Sequence, residues 1–419
     1  MAPAPRVGEA FFPLDEQLGL LAGGLTPRAE ETLVRLARWM PYAQAQELLA
    51  DLVGIQVSKA SARRVTLATG QAALALDEAE EERLKREVPE APEGAAKQVL
   101  SADGAMVHLV EGEWVEVKTL VIGEVSRNKR GEVCTQQLST FSRLAPAERF
   151  TEAALVETHR RGLERATTVC AVQDGAEWLH KLVDYQRADA VRILDFAHAA
   201  EYINEIGQAV QAAGGRLPAR WFEGVLHRLK HHGPERVLEH LSWLAAHYPS
   251  PTIQEKLAYL QKRTAHMQYP IYQAAGWPIG SGSVESAHKV VVEARLKGAG
   301  MRWERHNVNP MLTLRNAVCN RRWHERWQAT RKQRQQRRQK LRAQRIQARA
   351  EQALRRLLTL WLWYRPSVPP PVAEPAPGSV SALAATPAAS PPGSRRPAAN
   401  HPWRRPLIGR PKEAVLAKI

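Results

Sequence analysis

The chain has 419 residues and carries 59 lysines and arginines against 43 aspartates and glutamates, which gives a net charge of +16. A hydrophobic content of 44% excludes a wholly disordered chain, and no apolar run approaches the roughly eighteen residues that a membrane span needs. Three widely spaced cysteines form neither a disulfide framework nor a zinc cluster. No basic segment followed by an apolar stretch begins the chain, so we expect a cytoplasmic protein. The net charge of +16 predicts a nucleic-acid partner.

The positive charge is unevenly distributed along the chain. Residues 320–419 contain 22 basic and 4 acidic residues, whereas residues 1–319 have a net charge of −2. Residues 320–365 are rich in arginine, glutamine and alanine, which predicts a basic helical arm. Residues 366–419 contain 13 of the 28 prolines, and this composition predicts a disordered tail because it cannot form a packed core.

Residues 1–97 predict a helix-turn-helix region followed by a linker. Thr26 is a typical N-cap and Pro27 a typical first-turn residue, so a helix begins here. A second short helix covers about residues 42–52, a glycine-containing turn follows, and Ser58 can cap a third helix. The acidic and proline-containing stretch 77–97 indicates a charged helix end and then a linker.

The start of the third predicted helix is the candidate DNA-reading element. In a helix-turn-helix this part of the chain approaches the groove or the phosphates. A plain helical bundle with solvated arginines produces the same pattern, and this alternative stays open at the level of sequence. The residues that would contact DNA are Ser58, Lys59, Arg63 and Arg64.

From residue 98 onward the pattern becomes that of a mixed α/β sheet. Apolar runs separated by glycine-containing turns predict strands, and longer periodic segments predict helices. The predicted order is three strands, a helix, a strand, a helix and a strand, which is the order of the ribonuclease-H-like fold. The predicted strands are 98–104, 107–110, 114–122, 167–172 and 190–194.

A long helix-forming segment follows the fifth predicted strand. Residues 196–275 contain almost only helix-forming sequence, and the sheet domain resumes at the glycine- and serine-rich residues 280–283. We therefore predict a first core part, an all-helical insertion and a last core part. Their bounds are 98–195, 196–279 and 280–319.

Two Asp-Gly pairs and one glutamate carry the candidate chemistry. Asp103 and Asp174 are each predicted at the C-terminal end of a strand, and Glu285 follows a Gly-Ser-Gly-Ser helix start. Carboxylates that converge from different strands hold hard cations such as Mg²⁺, and two such cations can drive an in-line phosphoryl transfer. Taken alone, each Asp-Gly is more often a turn, and a first-turn glutamate more often complements the helix dipole.

Six short segments carry a more specific signal. They are Ala102–Ala105 (ADGA), Gln173–Trp178 (QDGAEW), Leu194–His198 (LDFAH), Pro278–Lys289 (PIGSGSVESAHK), Arg295–Trp303 (RLKGAGMRW) and Leu314–Asn316 (LRN). Together they resemble bacterial DDE-class transposases of the Mutator-like insertion-sequence superfamily, in particular its Kra-type family, over about residues 25–327. The resemblance implies that Asp103, Asp174 and Glu285 are catalytic and bind two Mg²⁺ or Mn²⁺ ions.

Asp195 is also a strand-end acid and competes with Asp174 for the role of second metal ligand. Related transposases carry an Asp/Cys-x-x-His element after the second catalytic aspartate, and the segment from Asp195 to His198 is similar to it. The resemblance therefore implies that Asp174 is the ligand and that Asp195 and His198 support the ligands or handle a DNA strand. The exchanged assignment stays open, as does a buried structural role for His198.

The expected function is transposition. The resemblance implies binding of double-stranded DNA at the element ends and at the target, strand cleavage and strand joining, by a homo-oligomer in the bacterial nucleoid, with neither a membrane nor a small-molecule substrate. A non-catalytic DNA-binding regulator or domesticated relic, and a structure-specific ribonuclease-H-like nuclease, are the alternatives. The candidates for phosphate contacts near the scissile bond are Arg295, Lys297, Arg302 and Arg305.

Overall fold

The computed structural model describes residues 25–364, so the predicted tail 366–419 lies outside the described residues. The fold is mixed α/β, as expected, with one open five-stranded sheet. The strands are β1 (Lys97–His108), β2 (Trp114–Arg127), β3 (Val133–Arg143), β4 (Thr168–Gln173) and β5 (Val191–Leu194). Their order across the sheet is β3-β2-β1-β4-β5, with β1, β2 and β3 antiparallel and with β4 and β5 parallel to β1.

Helices precede, cover and follow this sheet. The helices before and between the strands are α1 (Pro27–Ala37), α2 (Tyr42–Val53), α3 (Lys59–Glu87), α4 (Ala147–Arg160) and α5 (Glu177–Arg187). After β5 come α6 (Phe196–Ala212), α7 (Trp221–His232), α8 (Glu235–His247), α9 (Pro251–Lys262) and α10 (Tyr269–Ala274). The last helices are α11 (Gly282–Ala287), a π-helical stretch (His288–Glu293), α12 (Ala294–Leu296), α13 (Arg305–Cys319) and α14 (Trp323–Trp363).

The first part of the sheet differs from the sequence prediction. β1 is one continuous strand where two were predicted, and it passes through Asp103 and Gly104, so the expected strand end at Asp103 is wrong. Gly104 pairs with Lys118 of β2, and a Cβ at Gly104 would overlap the carboxylate of Glu116. The glycine thus serves a close cross-strand approach instead of a turn. β3 was not predicted at all.

The helix starts of the N-terminal region agree with the prediction. The Thr26 hydroxyl accepts a hydrogen bond from the backbone N–H of Ala29 at 3.3 Å, and the Ser58 hydroxyl accepts one from Ser61 at 3.1 Å. Gly54 ends α2 in the left-handed conformation, with φ of 71°. α1, α2 and the start of α3 therefore have the local signals that the sequence indicated.

α3 has 29 residues and includes the predicted charged helix end up to Glu87. Asp77 and Glu81 near its end are buried, and Asp77 forms ion pairs with Arg143 at 3.4 Å and Arg326 at 2.6 Å. Glu81 forms its ion pair with Arg149. The acidic stretch is thus packed against the body of the protein, and only residues 88–96 connect α3 to β1.

Both faces of the sheet are covered by helices. On one face, Leu120 and Ala171 pack with residues of α4 and α5 such as Phe150 and Leu182. On the other face, the predicted insertion 196–279 is helical throughout its regular elements, and its residues share one core cluster with the strands. Among the described residues, the segment 196–279 therefore has no hydrophobic core separate from that of the strands.

The predicted basic arm begins as part of the folded body. Trp323 and Trp327 at the start of α14 are buried in a cluster with α1 and α3. Arg322 donates two hydrogen bonds, at 2.7 and 2.8 Å, to the buried carboxylate of Glu157, and Arg334 pairs with buried Glu30. The first basic residues of the arm thus neutralise buried acids.

The chain divides into two compact units, Met1–Ala348 and Arg349–Ile419. The described part of the second unit is helical and exposes large apolar side chains, including Leu357 and Trp361. Among residues 25–364, no helix is long and apolar enough to cross a membrane.

Candidate active site

Asp103 and Asp174 lie at the same edge of the sheet. Leu100 and Ala171 are the last paired residues of the parallel ladder between β1 and β4, and each aspartate lies three residues beyond its strand's last pair. The spacing of 71 residues between the two aspartates therefore equals the offset of the ladder. Parallel register places the two residues at the same level of the sheet, and the charge of Asp174 acts on Asp103, although Asp103 lies within its strand and Asp174 follows the end of β4.

The Asp103 carboxylate lies among other acidic groups. Burial raises the pKa of Asp103 above its ordinary value, and the charges of Asp174 and Glu116 raise it further. Two groups oppose this rise: the N–H of Gly104, which donates to Asp103 Oδ1 at 2.7 Å, and His288, whose Nδ1 lies 3.7 Å from Asp103 Oδ2. Burial in turn lowers the pKa of His288, so the histidine is a weak counter-charge. A bound cation would relieve this repulsion.

The turn after β4 is held by helix α9. The Asp174 carboxylate accepts a hydrogen bond from the N–H of Ala176 at 2.8 Å, and the Tyr259 hydroxyl donates to the backbone carbonyl of Asp174. Arg263 Nη2 donates to the carbonyl of Gly175 at 2.6 Å. Gly175 has φ of +81°, and a Cβ there would lie 2.5 Å from Arg263 Nε, so only glycine fits this position.

Aromatic rings form a wall beside this turn. Tyr259 and Tyr202 stack with ring centroids 4.1 Å apart, and the ring of His198 lies 4.9 Å from that of Tyr202 and 5.9 Å from that of Tyr259. The guanidinium of Arg263 lies 3.5 Å over the Tyr259 ring. The sequence singled out His198 alone. Tyr202 lies in α6, and Tyr259 and Arg263, in and just after α9, reach the turn at Asp174 only through tertiary packing.

Asp195 is buried, and protein groups occupy both oxygens of its carboxylate. Oδ1 accepts from the backbone N–H of Ala197 at 2.6 Å and of His198 at 3.4 Å, which caps α6. Oδ2 accepts from the N–H of Ser281 at 2.8 Å and from its hydroxyl. This saturation favours Asp174 over Asp195 as the carboxylate available to a ligand.

Glu285 does not join the aspartate pair. Its helix, α11, packs on the sheet through Val284 and Ala287, which contact Val121, while the Glu285 side chain is exposed to solvent. One turn further along, His288 contacts Asp103. Within residues 25–364 no three His, Cys, Asp or Glu side chains are arranged to hold a metal ion. The structure therefore assembles two of the three predicted ligands.

The helix of Glu285 continues as the π-helical stretch, and buried Arg315 explains why. Its guanidinium donates to the carbonyls of Val290 and Val291, the latter at 3.2 Å, and to the carbonyl of Arg38 at 3.2 Å. Because the Arg315 side chain donates to these carbonyls, they need not accept from the backbone N–H four residues later, and the wider π-helical turn becomes possible. π-Helical turns are frequent at functional sites.

The predicted DNA contacts divide into exposed and buried residues. Seven are exposed; among them Arg63 pairs with Glu304, Lys297 with Glu293 at 2.9 Å and Arg305 with Glu113 at 2.6 Å. Arg295 is different, because it is only 2% exposed and its Nε donates to the carbonyl of Ala37 at 2.8 Å. Arg295 therefore does not lie on the surface with the other seven residues. The exposed residues are Ser58, Lys59, Arg63, Arg64, Lys297, Arg302 and Arg305.

The chain matches no protein-family model and no curated protein sequence.

Proposed function

We propose that the protein is a DDE-class DNA transposase with a ribonuclease-H-like catalytic domain that the helical segment 196–279 interrupts. The observation that carries the proposal is the pairing of Asp103 and Asp174 at one edge of the sheet. The strand order, in which an antiparallel meander is followed by two strands parallel to β1, supports the proposed domain. The raised pKa of Asp103 supports a site made for a cation.

Asp103 and Asp174 would hold Mg²⁺ or Mn²⁺ in this proposal. Their oxygen atoms suit a hard divalent cation, which commonly takes only one or two protein carboxylates and completes its shell with water and phosphate. When bound, such a cation neutralises charge that develops on the transferred phosphoryl group. Glu285 would complete the set of ligands only after its side chain or α11 shifts toward the pair.

Other residues of the chain have supporting roles in this function. Asp195 fixes the segment that leads into α11 and so sets the position of Glu285. The ring of His198 would offer a stacking surface to an unpaired base beside Asp174. The exposed start of α3 would bind the duplex DNA of the element ends, and at least two copies would act together to join two ends.

The test is cleavage of duplexes that carry the inverted repeats flanking the reading frame, in the presence of Mg²⁺. Asp174→Asn should bind these duplexes like the wild type but lose cleavage and strand joining. Asp184→Asn, at an exposed position of α5, is the control and should retain both cleavage and strand joining. Cleavage at the wild-type rate by Asp174→Asn would overturn the proposal.

A non-catalytic DNA-binding regulator is the second candidate, and the separation of Glu285 from the two aspartates favours it. Such a protein would shift the end duplexes in a gel yet leave them intact with Mg²⁺ or Mn²⁺. A ribonuclease-H-like nuclease would cleave without joining the freed 3′-OH to a second duplex. One set of reactions, read for binding, cleavage and joining, separates the three functions.

A further inference from the structure

A cleft of about 610 Å³ lies between the N-terminal helices and the loop that follows α12. The starts of α2 and α3 form one side, and residues 299–304 form the other. Two separate groups of sequence-predicted DNA contacts thus line one cavity, although more than 200 residues separate them in the chain. The charged residues that line the cleft are Lys59, Arg63, Arg295, Arg302 and Glu304.

The cleft has an excess of positive charge. Glu304 is the one acidic residue among the described residues that line the cleft, and it forms an ion pair with Arg63. Within residues 25–364, Lys59 and Arg302 are exposed and have no ion-pair partner. Two free cations therefore face a cavity whose wall also contains the buried guanidinium of Arg295.

The wall of the cleft also contains two buried donors that lack a well-formed hydrogen bond, although the Tyr42 hydroxyl interacts with the guanidinium of Arg295. They are Nη2 of Arg295 and Nε1 of Trp303, in side chains that are 2% and 6% exposed. The other nitrogens of Arg295 are engaged, since Nε donates to Ala37 and Nη1 lies 3.6 Å from the sulfur of Met301. Both groups can only donate, and leaving a buried donor unpaired is destabilising.

The loop that presents Trp303 is fixed to the strand that carries Asp103. The Trp303 N–H donates to the carbonyl of His108 at 3.1 Å, and the Val110 N–H donates to the carbonyl of Trp303 at 3.0 Å. The guanidinium of Arg295 lies 4.9 Å from the centre of the Trp303 ring and 5.0 Å from that of Tyr42. The donors are therefore held in place before any ligand binds, which reduces the cost of binding.

We propose that this cleft is a phosphate-binding site that takes a backbone phosphate of the DNA bound at the start of α3. Free cations together with buried donors complement an anionic group that carries several acceptor oxygens. An apolar ligand would leave the two donors unpaired. The assignment of DNA as the source of the phosphate rests on the proposed function.

Four variants test the proposal by binding alone, with a random-sequence duplex as probe and without divalent metal. Lys59→Gln and Arg302→Gln should each weaken binding roughly three- to tenfold and lower the salt slope by about one. Trp303→Phe removes the indole N–H and should weaken binding without changing the slope, because a neutral group releases no counterion. Arg130→Gln, an exposed arginine in the hairpin after β2, is the matched control and should bind like the wild type.

Thermal unfolding of each variant separates lost binding from lost structure, and the exposed Lys59 and Arg302 keep the test valid if Trp303→Phe is unstable. Duplex binding at the wild-type level by both glutamine variants would overturn the proposal. Inorganic phosphate that binds the wild type but not Arg302→Gln, while duplex binding stays unchanged, would identify a free phosphate site and overturn the DNA assignment. The binding results are independent of cleavage, so failure of the proposed function would show separately.

Discussion

The carboxylate of Asp195 accepts hydrogen bonds from both the N–H of Ser281, at 2.8 Å, and the Ser281 hydroxyl. Its other oxygen caps α6 through the N–H of Ala197. One buried side chain thus connects the end of β5 to the segment that begins α11, four residues before Glu285. The position of Glu285 depends on this connection, although Asp195 has no free oxygen for a ligand of its own.

Asp195→Asn should therefore reduce stability and activity while leaving metal affinity intact. An asparagine turns one acceptor oxygen into a donor that faces other donors, so the free energy of unfolding should fall by roughly 1–3 kcal/mol. Mn²⁺ titration and denaturant unfolding measure the two effects. Asp174→Asn should give the opposite pattern, and loss of Mn²⁺ affinity by Asp195→Asn at unchanged stability would assign the ligand to Asp195.

Gly175→Ala should impair the aspartate pair through crowding by α9. The left-handed backbone costs an alanine about 1 kcal/mol, and its Cβ would also press on Arg263 and on the Tyr259 hydroxyl, 2.9 Å away. Gly131→Ala is the matched control, because Gly131 has φ of +79° and no atom within 4 Å of its Cβ position. We expect a larger loss of stability in Gly175→Ala than in Gly131→Ala, and a tenfold or greater loss of DNA cleavage only in Gly175→Ala.

Asp103→Asn should raise stability at neutral pH. A carboxyl whose pKa is higher in the folded state stabilises that state below its unfolded pKa, and this contribution is lost as the pH rises through the folded pKa. The variant avoids the loss, so its Tm should exceed that of the wild type at about pH 8 and approach it near pH 4. His288, Asp174 and Glu116 are the titratable groups that act on Asp103. A Tm difference independent of pH would contradict the assigned repulsion.

Truncation should show which part of the basic arm stabilises the fold and which part contributes to DNA binding. A chain that ends at Ala348 keeps Arg322, Trp323 and Trp327 and loses the second unit, with its net charge of +8. It should unfold at the wild-type Tm and show a lower salt slope in DNA binding. A chain that ends at Cys319 should not fold, because loss of a buried tryptophan typically costs about 3–5 kcal/mol. Equal stability of the two chains would contradict the described packing of α14.

Local sequence signals predicted the elements that depend on local interactions. β4 and β5 lie within a residue of their expected bounds, and Thr26 and Ser58 cap their helices as expected. β3 was missed because it is a polar strand, although it pairs with β2 through a short hairpin, and because its other partner is distant. The Asn320 side chain exchanges two hydrogen bonds with the backbone of Thr140, at 2.7 and 2.8 Å, and so pairs the outer edge of a polar strand. No pattern within β3 reports such a partner.

At the candidate site, too, residues with a local signal could be predicted and residues that depend on distant partners could not. Asp174 could be identified because a strand and a glycine flank it in the sequence. Tyr259 could not, since its hydroxyl reaches Asp174 across 85 residues. The burial of Arg295 was equally hidden, because the residues that enclose it, Tyr42 and Trp303, belong to separate segments. The sequence predicted that Arg295 contacts a phosphate. Tertiary packing decides which nitrogens of Arg295 remain available for such a contact.

The ladder that joins Leu100 to Ala171 has a consequence for how much the chain can vary in length. Residues could be added or removed in the hairpins after β1 and β2 without moving Asp103 relative to Asp174. A slip of one residue between β1 and β4 would instead bring Gln173 or Gly175 opposite Asp103 and destroy the pair. Chains with the same site are therefore better found by aligning these two strands than by matching a fixed gap between their aspartates.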